Sequence, residues 1–453
     1  MAVKTEQRVL FNDLADRPVH VEFTAPDQSS DTGVLLLEAI DRKMGLSQAM
    51  AAAVRDRREP GKVRHSVHAM FQERILGIGC GYPDTNDAGR FNLDPAMLLA
   101  CDRRDASLAS QPTLSRFENS ATPGELLRMG YALTQAVLDA QSRRRKRRQV
   151  RHITIDMDPT EDRTYGRQQW IAFNGYYDAW CYLPMITTIQ FDEEPEHYAI
   201  APLLRRGNAP GSEGALAILK RLLPELRGRF PKAVIRVRMD GAFATPEVFD
   251  WLETNRLGYV INMAKNEVLE RLARPWMQLV QSRAKASQVT EKVYAETNYQ
   301  AGKWTKARRT IIKAEVVGLP GRALRDNPRF AITNLPWTPE NVYGFYAKRG
   351  DVENRIKELK DGLRLDLTSC SRFGANQFRI LLTMAAYVLY QQLRYEARGT
   401  DCARAQVPTL RERLIKLAGT VAESVRRILI EAPKAYVWLT TWRVVAARVG
   451  ATP

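Results

Sequence analysis

The sequence predicts an α/β protein: a mixed sheet with helices on its faces, set between helical N-terminal and C-terminal regions. Three observations predict it. Residues 151–158, Arg-His-Ile-Thr-Ile-Asp-Met-Asp, alternate strictly, with Ile153, Ile155 and Met157 on one face and Thr154, Asp156 and Asp158 on the other. Residues 233–240, Ala-Val-Ile-Arg-Val-Arg-Met-Asp, alternate in the same way and also end on an aspartate. Between and after these runs the apolar period changes to that of helices, which is the order expected when helices cover a sheet.

The elements follow in order. Residues 1 to about 142 read as helices separated by loops. Within them, an apolar helix around Met97 to Leu99, a polar break, and a second helix opening at Ser110-Gln-Pro112 have helix-turn-helix character. Pro112 suits a first helical turn, and Arg116 would then reach bases or phosphates. The same segment reads equally as an ordinary capped helix. Six adjacent cations, Arg143 to Arg148, either lie on phosphates or form a solvated linker, and mark a boundary.

Strands are predicted at 151–158, around Trp170 to Asn174 and at Tyr182 to Phe191, joined as an antiparallel meander. A helix at Glu213 to Arg227, disturbed by Pro224, a strand at 233–240, a helix at 246–255 and a strand at 258–263 complete the first part. Residues 266–327 interrupt this pattern with β-leaning segments, Gln288 to Tyr299 and Thr305 to Val317. A strand at Phe330 to Asn334 and one helix from Pro339 to about Leu363 follow. The last ninety residues read as helical, with Val425, Ile428 and Leu429 on one face. The boundaries are therefore 1–149, a helical DNA-binding region; 150–265 and 328–395, two parts of a core; 266–327, a β-rich insertion; and 396–453, a helical C-terminal region.

Composition narrows the function. The 453 residues are 45% hydrophobic and 26% charged, which excludes dominant disorder and fibrous classes. Lysine and arginine number 68 against 51 acids, a formal charge of +17, and such an excess favours a polyanionic partner. Five cysteines form no CxxC and no histidine stands at ligand spacing from one, so neither a zinc site nor a disulfide framework is expected. The best apolar run, Ile380 to Tyr390, is too short to span a bilayer, and the first residues lack a signal-peptide core. A cytoplasmic, nucleoid-associated protein with no membrane partner is expected.

The chemistry concentrates on residues 342–360. Tyr346, Arg349, Glu353 and Lys360 have offsets 0, 3, 7 and 14, which fall within roughly 60° on one helical face. A carboxylate flanked by a guanidinium, an ammonium and a phenol suits phosphodiester chemistry: the acid can hold a divalent metal, and the cations can hold phosphates beside it. Arg355 and Lys357 either touch DNA or solvate the helix.

This spacing, Tyr-(2)-Arg-(3)-Glu-(6)-Lys, resembles the YREK signature of DDE transposases from bacterial insertion sequences. Thr333-Asn334, Arg355 to Lys360, Cys370 to Asn376, Phe173-Asn-Gly-Tyr-Tyr177 and Arg238-Met-Asp240 look like the same superfamily, most of all the insertion sequence thirteen-eighty group. The resemblance covers about residues 150–395. It implies a ribonuclease-H-like fold with three metal-binding carboxylates. The third maps to Glu353 and the second to Asp240. The first lies in Asp156 to Thr160, where Asp158 is favoured by the threonine pattern and Asp156, on the same face, is the alternative. It also implies Mg²⁺, with Mn²⁺ able to substitute, and DNA contacts by Tyr346, Arg349 and Lys360. Relatives stack a flipped base on an insertion tryptophan, which would be Trp304 unless that ring is merely packing. His152 and His197 stand as structural histidines.

The function implied is a transposase that binds terminal inverted repeats, cleaves at the ends and joins them to target DNA, with a homodimer holding two ends. A sequence-specific DNA-binding regulator without catalysis, and a metal-dependent nuclease, are the competing readings.

Overall fold

A computed structural model describes residues 9–11, 16–17, 19–22, 24, 27–103 and 107–452. Its centre is a nine-stranded mixed sheet. In chain order the strands are β1 (His152–Pro159), β2 (Met185–Phe191), β3 (Tyr198–Ala199), β4 (Val234–Met239), β5 (Gly258–Met263), β6 (Glu291–Tyr299), β7 (Arg308–Val317), β8 (Arg325–Asp326) and β9 (Arg329–Thr333). Across the sheet the order is β6-β7-β9-β5-β4-β1-β2-β3, with β8 on β7. β4 runs parallel to both β1 and β5. The remaining pairs are antiparallel.

β1 is central and buried on both faces, although its alternation predicts one polar face. That face is covered rather than solvated. Arg238, in register with Asp156 on β4, neutralises it through two 2.8 Å hydrogen bonds. The third guanidinium nitrogen donates to the Phe345 carbonyl at 2.9 Å, so the pair also fastens the helical layer above. The opposite face carries Ile153, Ile155 and Met157 into the main core with Leu219, Leu222 and Phe249 from the covering helices Ala215–Arg229 and Pro246–Thr254. Thr245 caps the second of these ahead of Pro246 at the first helical position.

Several expectations change. The run around Trp170 to Asn174 does not enter the main sheet. As Ala172–Asn174 it pairs with Ala179–Tyr182, whose other edge takes Asp162–Arg163, in a separate three-stranded sheet. The insertion opens with a 21-residue helix, Glu267–Ser287, capped by Asn266. Leu269, Ala273, Met277, Val280 and Ala284 bury one stripe of it, while Pro275 sits on the exposed side where a missing N–H is least costly. The two β-leaning segments form β6 and β7 but extend the main sheet through β9 instead of standing apart.

The single helix expected from Pro339 to Leu363 is two, Pro339–Ala347 and Gly350–Leu363, broken at Lys348-Arg349. Gly350, the poorest ordinary helix former, sits at the break. The C-terminal region is not all helical: Gly419–Ser424 and Arg427–Glu431 form a hairpin, and the first of these strands pairs with Gln28–Ser29. Exposure along Arg427–Glu431 alternates with period two, which places Ile428 and Ile430 together on one strand face and sends Leu429 to the other.

The helix Phe373–Glu396 is buried along almost its whole length. It packs against Val34–Met44, Val67–Cys80 and Pro123–Arg144 from the N-terminal part, Leu439–Val449 from the C-terminal part, and Gly350–Leu363. The segments expected around Met97 to Leu99 and from Ser110 to Arg116 are helices Pro95–Ala100 and Gln111–Glu118. No helix among the described residues is long and apolar enough to cross a membrane.

Candidate active site

Register builds the site. Met239 of β4 pairs with Met157 of the parallel β1, so the next residues, Asp240 and Asp158, stand side by side at the same end of the sheet. Asp240 also caps the tight turn Gly241–Phe243, its carboxylate accepting from the Ala242 N–H at 2.9 Å. The break at Lys348-Arg349 sets Arg349 immediately before the second helix, four residues from Glu353.

Arg349 joins all three acids. Its Nη2 lies 2.6 Å from Asp158 and 3.9 Å from Asp240, and its Nη1 lies 3.1 Å from Glu353. Its Nε is buried without a hydrogen-bond partner. Burial pushes the Asp158 carboxyl up, Arg349 opposes this, and Asp240 and Glu353 add to the rise, leaving it at about 7. Burial likewise raises the Tyr346 hydroxyl to about 12, with Asp240, Asp158 and Glu353 as its acidic neighbours. Tyr177, from the turn of the small sheet, is also held at about 12 by burial and by Asp158. The site therefore holds one cation among three acids, with two phenols near them.

The oxygen-only donor set of Asp158, Asp240 and Glu353 is the kind Mg²⁺ prefers. Among the described residues no group of three acids, histidines or cysteines is close enough to enclose an ion as it stands, because the Arg349 guanidinium takes the space between them. The three acids converging on one positive charge fit a divalent ion, provided Arg349 gives way.

Other expected residues fall elsewhere. Asp156, the alternative first ligand, has both oxygens engaged by Arg238 and lies 3.5 Å from His197 Nδ1, so it belongs to a buried structural pair. Lys360 lies further along the second helix, where its charge acts on the buried Asp162 rather than on the three acids. Trp304 is core, not a stacking platform: it is 5% exposed, its ring packs at 5.0 Å from Phe249 and 5.5 Å from Tyr299, and Arg308 lies over it. Arg116 is exposed beside Thr113, in a cleft shared with Arg57, Arg58, Lys62 and Arg64.

Of the basic cluster, Arg144 stacks on Tyr395 and bonds Tyr198, and the buried Arg145 pairs with Glu194, so these two are structural while Lys146, Arg147 and Arg148 are exposed. Arg355 pairs with Glu358 at 3.0 Å instead of reaching outward.

Sequence reasoning missed Glu358. It is buried on the second helix and accepts from Tyr387 at 2.9 Å, from the Val407 N–H at 2.8 Å and from Arg394, anchoring that helix to Phe373–Glu396. Its one signal was an acid adjoining the apolar stripe of Val352, Ile356 and Leu359.

Compared with known families, the chain matches the one described as Transposase DDE domain group 1 over residues 11–453. No curated protein matches it.

Proposed function

Because the chain belongs to that family of DDE transposases, we propose that it is the transposase of an insertion sequence of the thirteen-eighty group and works by cut-and-paste. The family acts on DNA and uses divalent metal ions, and the charge of +17 suits that substrate. In this reading Asp158, Asp240 and Glu353 are the catalytic acids, and Tyr346, Arg349 and Lys360 complete the YREK set. The mixed sheet, with two acids at the ends of neighbouring parallel strands, supports a ribonuclease-H-like core.

The observation that carries the reading is the convergence of three acids, far apart in sequence, on the Arg349 guanidinium. Divalent ions, Mg²⁺ or Mn²⁺, when held by these carboxylates would activate the attacking water or 3′-hydroxyl and stabilise the leaving oxygen. The chain's own residues do the rest. Asp158 and Asp240 are fixed by strand register, so they need little rearrangement. Glu353, more exposed, rides on the helix that Glu358 anchors. Arg349, displaced from the acids, would offer its Nη groups and its unpartnered Nε to a phosphate oxygen. Tyr346 lines the same pocket and positions the backbone. Two ends held at once call for a homodimer.

The test is strand cleavage of duplex carrying the element's inverted repeat, in Mg²⁺ or Mn²⁺. Asp158→Asn, Asp240→Asn and Glu353→Gln should each abolish cleavage and strand transfer while leaving end binding intact. Cleavage retained in any one of them removes that residue from the set; cleavage retained in all three overturns the reading. Cleavage by the wild type without joining of a labelled donor end would make the chain a nuclease.

A further inference from the structure

Seven large aromatic side chains are exposed among the described residues, and five of them, Tyr165, Trp170, Phe173, Tyr176 and Trp180, lie within sixteen residues of the small three-stranded sheet and its loops. Chance scatter of surface aromatics does not cluster them so. We infer that this sheet is a stacking platform for unpaired DNA bases beside the three acids.

The arrangement is rigid. Phe173 and Trp180 face each other in register with ring centroids 6.2 Å apart, and each is about half exposed. The hairpin turn is tied by Asn174, whose side-chain oxygen accepts from the Tyr176 and Tyr177 N–H groups while its amide donates to the Gly207 carbonyl at 2.7 Å. Gly207 lies flush against the hairpin: a Cβ there would come within 2.4 Å of the Cys181 and Ala172 carbonyl oxygens. Trp170 is held at φ +65°, a conformation bulky residues rarely adopt, with its ring 4.9 Å from Phe373. The fold bears that strain and leaves the indole more than half exposed.

Three observations select the occupant. The sheet is joined to the acid site by the chain: its first strand, Asp162–Arg163, begins four residues after Asp158, and between them the Thr160 N–H donates to the Pro184 carbonyl at 2.9 Å. Exposed Arg167, and Arg163 held at 3.2 Å by Glu161, alternate with the aromatic residues along the chain, the composition of surfaces that track a phosphate backbone while rings take the bases. A paired duplex hides its base faces in its own stack and offers phosphates and groove edges instead, so exposed ring faces gain most from bases that have left the helix. The inference rests on the transposase reading, since it takes DNA at the acids as given.

The test compares full-length wild type with Trp180→Ala, Tyr176→Ala and Trp180→Phe, using labelled oligothymidylate and a blunt duplex at low and high salt. Each alanine variant should bind oligothymidylate roughly five- to a hundredfold more weakly. Duplex binding should be unchanged, Trp180→Phe should restore much of the loss, and the ratio of variant to wild type should persist as salt rises, because stacking is screened far less than phosphate contact. Unchanged oligothymidylate binding in both alanine variants overturns the platform. So does an equal loss for the duplex, or loss of self-association in place of oligonucleotide binding, which would make the face a contact between two copies. Wild-type cleavage is measured in parallel: cleavage with no stacking defect rejects the platform alone, and no DNA binding or cleavage at all rejects the transposase reading and the platform with it.

Discussion

Arg349 donates to Asp158 at 2.6 Å across 191 positions of sequence. The contact places a fixed positive charge where three acids would otherwise repel one another. In the proposed reading it also makes the guanidinium and a divalent ion rivals for the same carboxylates.

Arg349→Ala therefore exposes that rivalry. Removing one partner of a largely buried pair costs about 3–5 kcal/mol in a closed interior, and about 1–2 kcal/mol is expected here because Glu353 is mostly exposed. In chelator the variant should melt below wild type. Mg²⁺ should raise its melting temperature more than that of wild type, since the ion then supplies the missing charge. Equal gains from Mg²⁺ in both proteins would mean that Arg349 and the ion do not share a seat.

Asp156→Asn separates structure from chemistry. It leaves Arg238 buried with no carboxylate, a loss of about 3–5 kcal/mol. The expected result is a large drop in melting temperature with metal-dependent cleavage retained per folded molecule at low temperature. Asp158→Asn should do the reverse, keeping the fold and losing cleavage. Abolished cleavage in well-folded Asp156→Asn would return that residue to the ligand set.

Trp304→Ala should empty a core site between Phe249 and Tyr299 and cost about 3–5 kcal/mol. Trp304→Phe should cost less and cleave at the wild-type rate. A conservative phenylalanine variant that folds normally but loses binding to DNA with an unpaired base would restore the indole to the DNA.

Glu73 gives the fold a pH dependence away from the acids. Burial, opposed by the Ala109 N–H and by Arg74 and Arg103, pushes its carboxyl up to about 7, and its Oε1 has no partner. The folded state thus holds this proton more tightly than the unfolded chain. Its contribution is full below about pH 4.5 and is lost as pH rises through about 7, by at most about 3 kcal/mol. Glu73→Gln should flatten the melting profile over that window and melt higher than wild type at alkaline pH. Parallel profiles for the two proteins would remove Glu73 as the cause.

Much of the site was legible because strand alternation and helical period are local signals. Ile153 to Asp158 and Val234 to Asp240 announced two strands ending on acids, and register made neighbours of those acids. Glu353 was legible through its spacing to Tyr346 and Arg349. What stayed hidden depends on contacts made at a distance. Nothing near Asp156 in sequence shows that Arg238 occupies it. Trp304 reads alike as a surface or a core ring until Phe249 and Arg308 arrive from other elements. The helix Glu267–Ser287 was hidden in a stretch read only as an interruption with β-leaning segments, because its buried stripe shows itself only against the strands it covers. The five exposed aromatics were in plain view, but only the fold shows that Phe173 and Trp180 share a face.

The helix Phe373–Glu396 has a practical consequence. Helices from before residue 149 and after residue 396 both close over it, and Gln28–Ser29 pairs with the hairpin near the other end of the chain. Excising the first 149 residues would strip an apolar rod of its sheath and leave the Gly419–Ser424 edge without its added strand. The N-terminal and central parts of this chain do not come apart as separable fragments; a truncation meant to isolate residues 150–453 should yield aggregate.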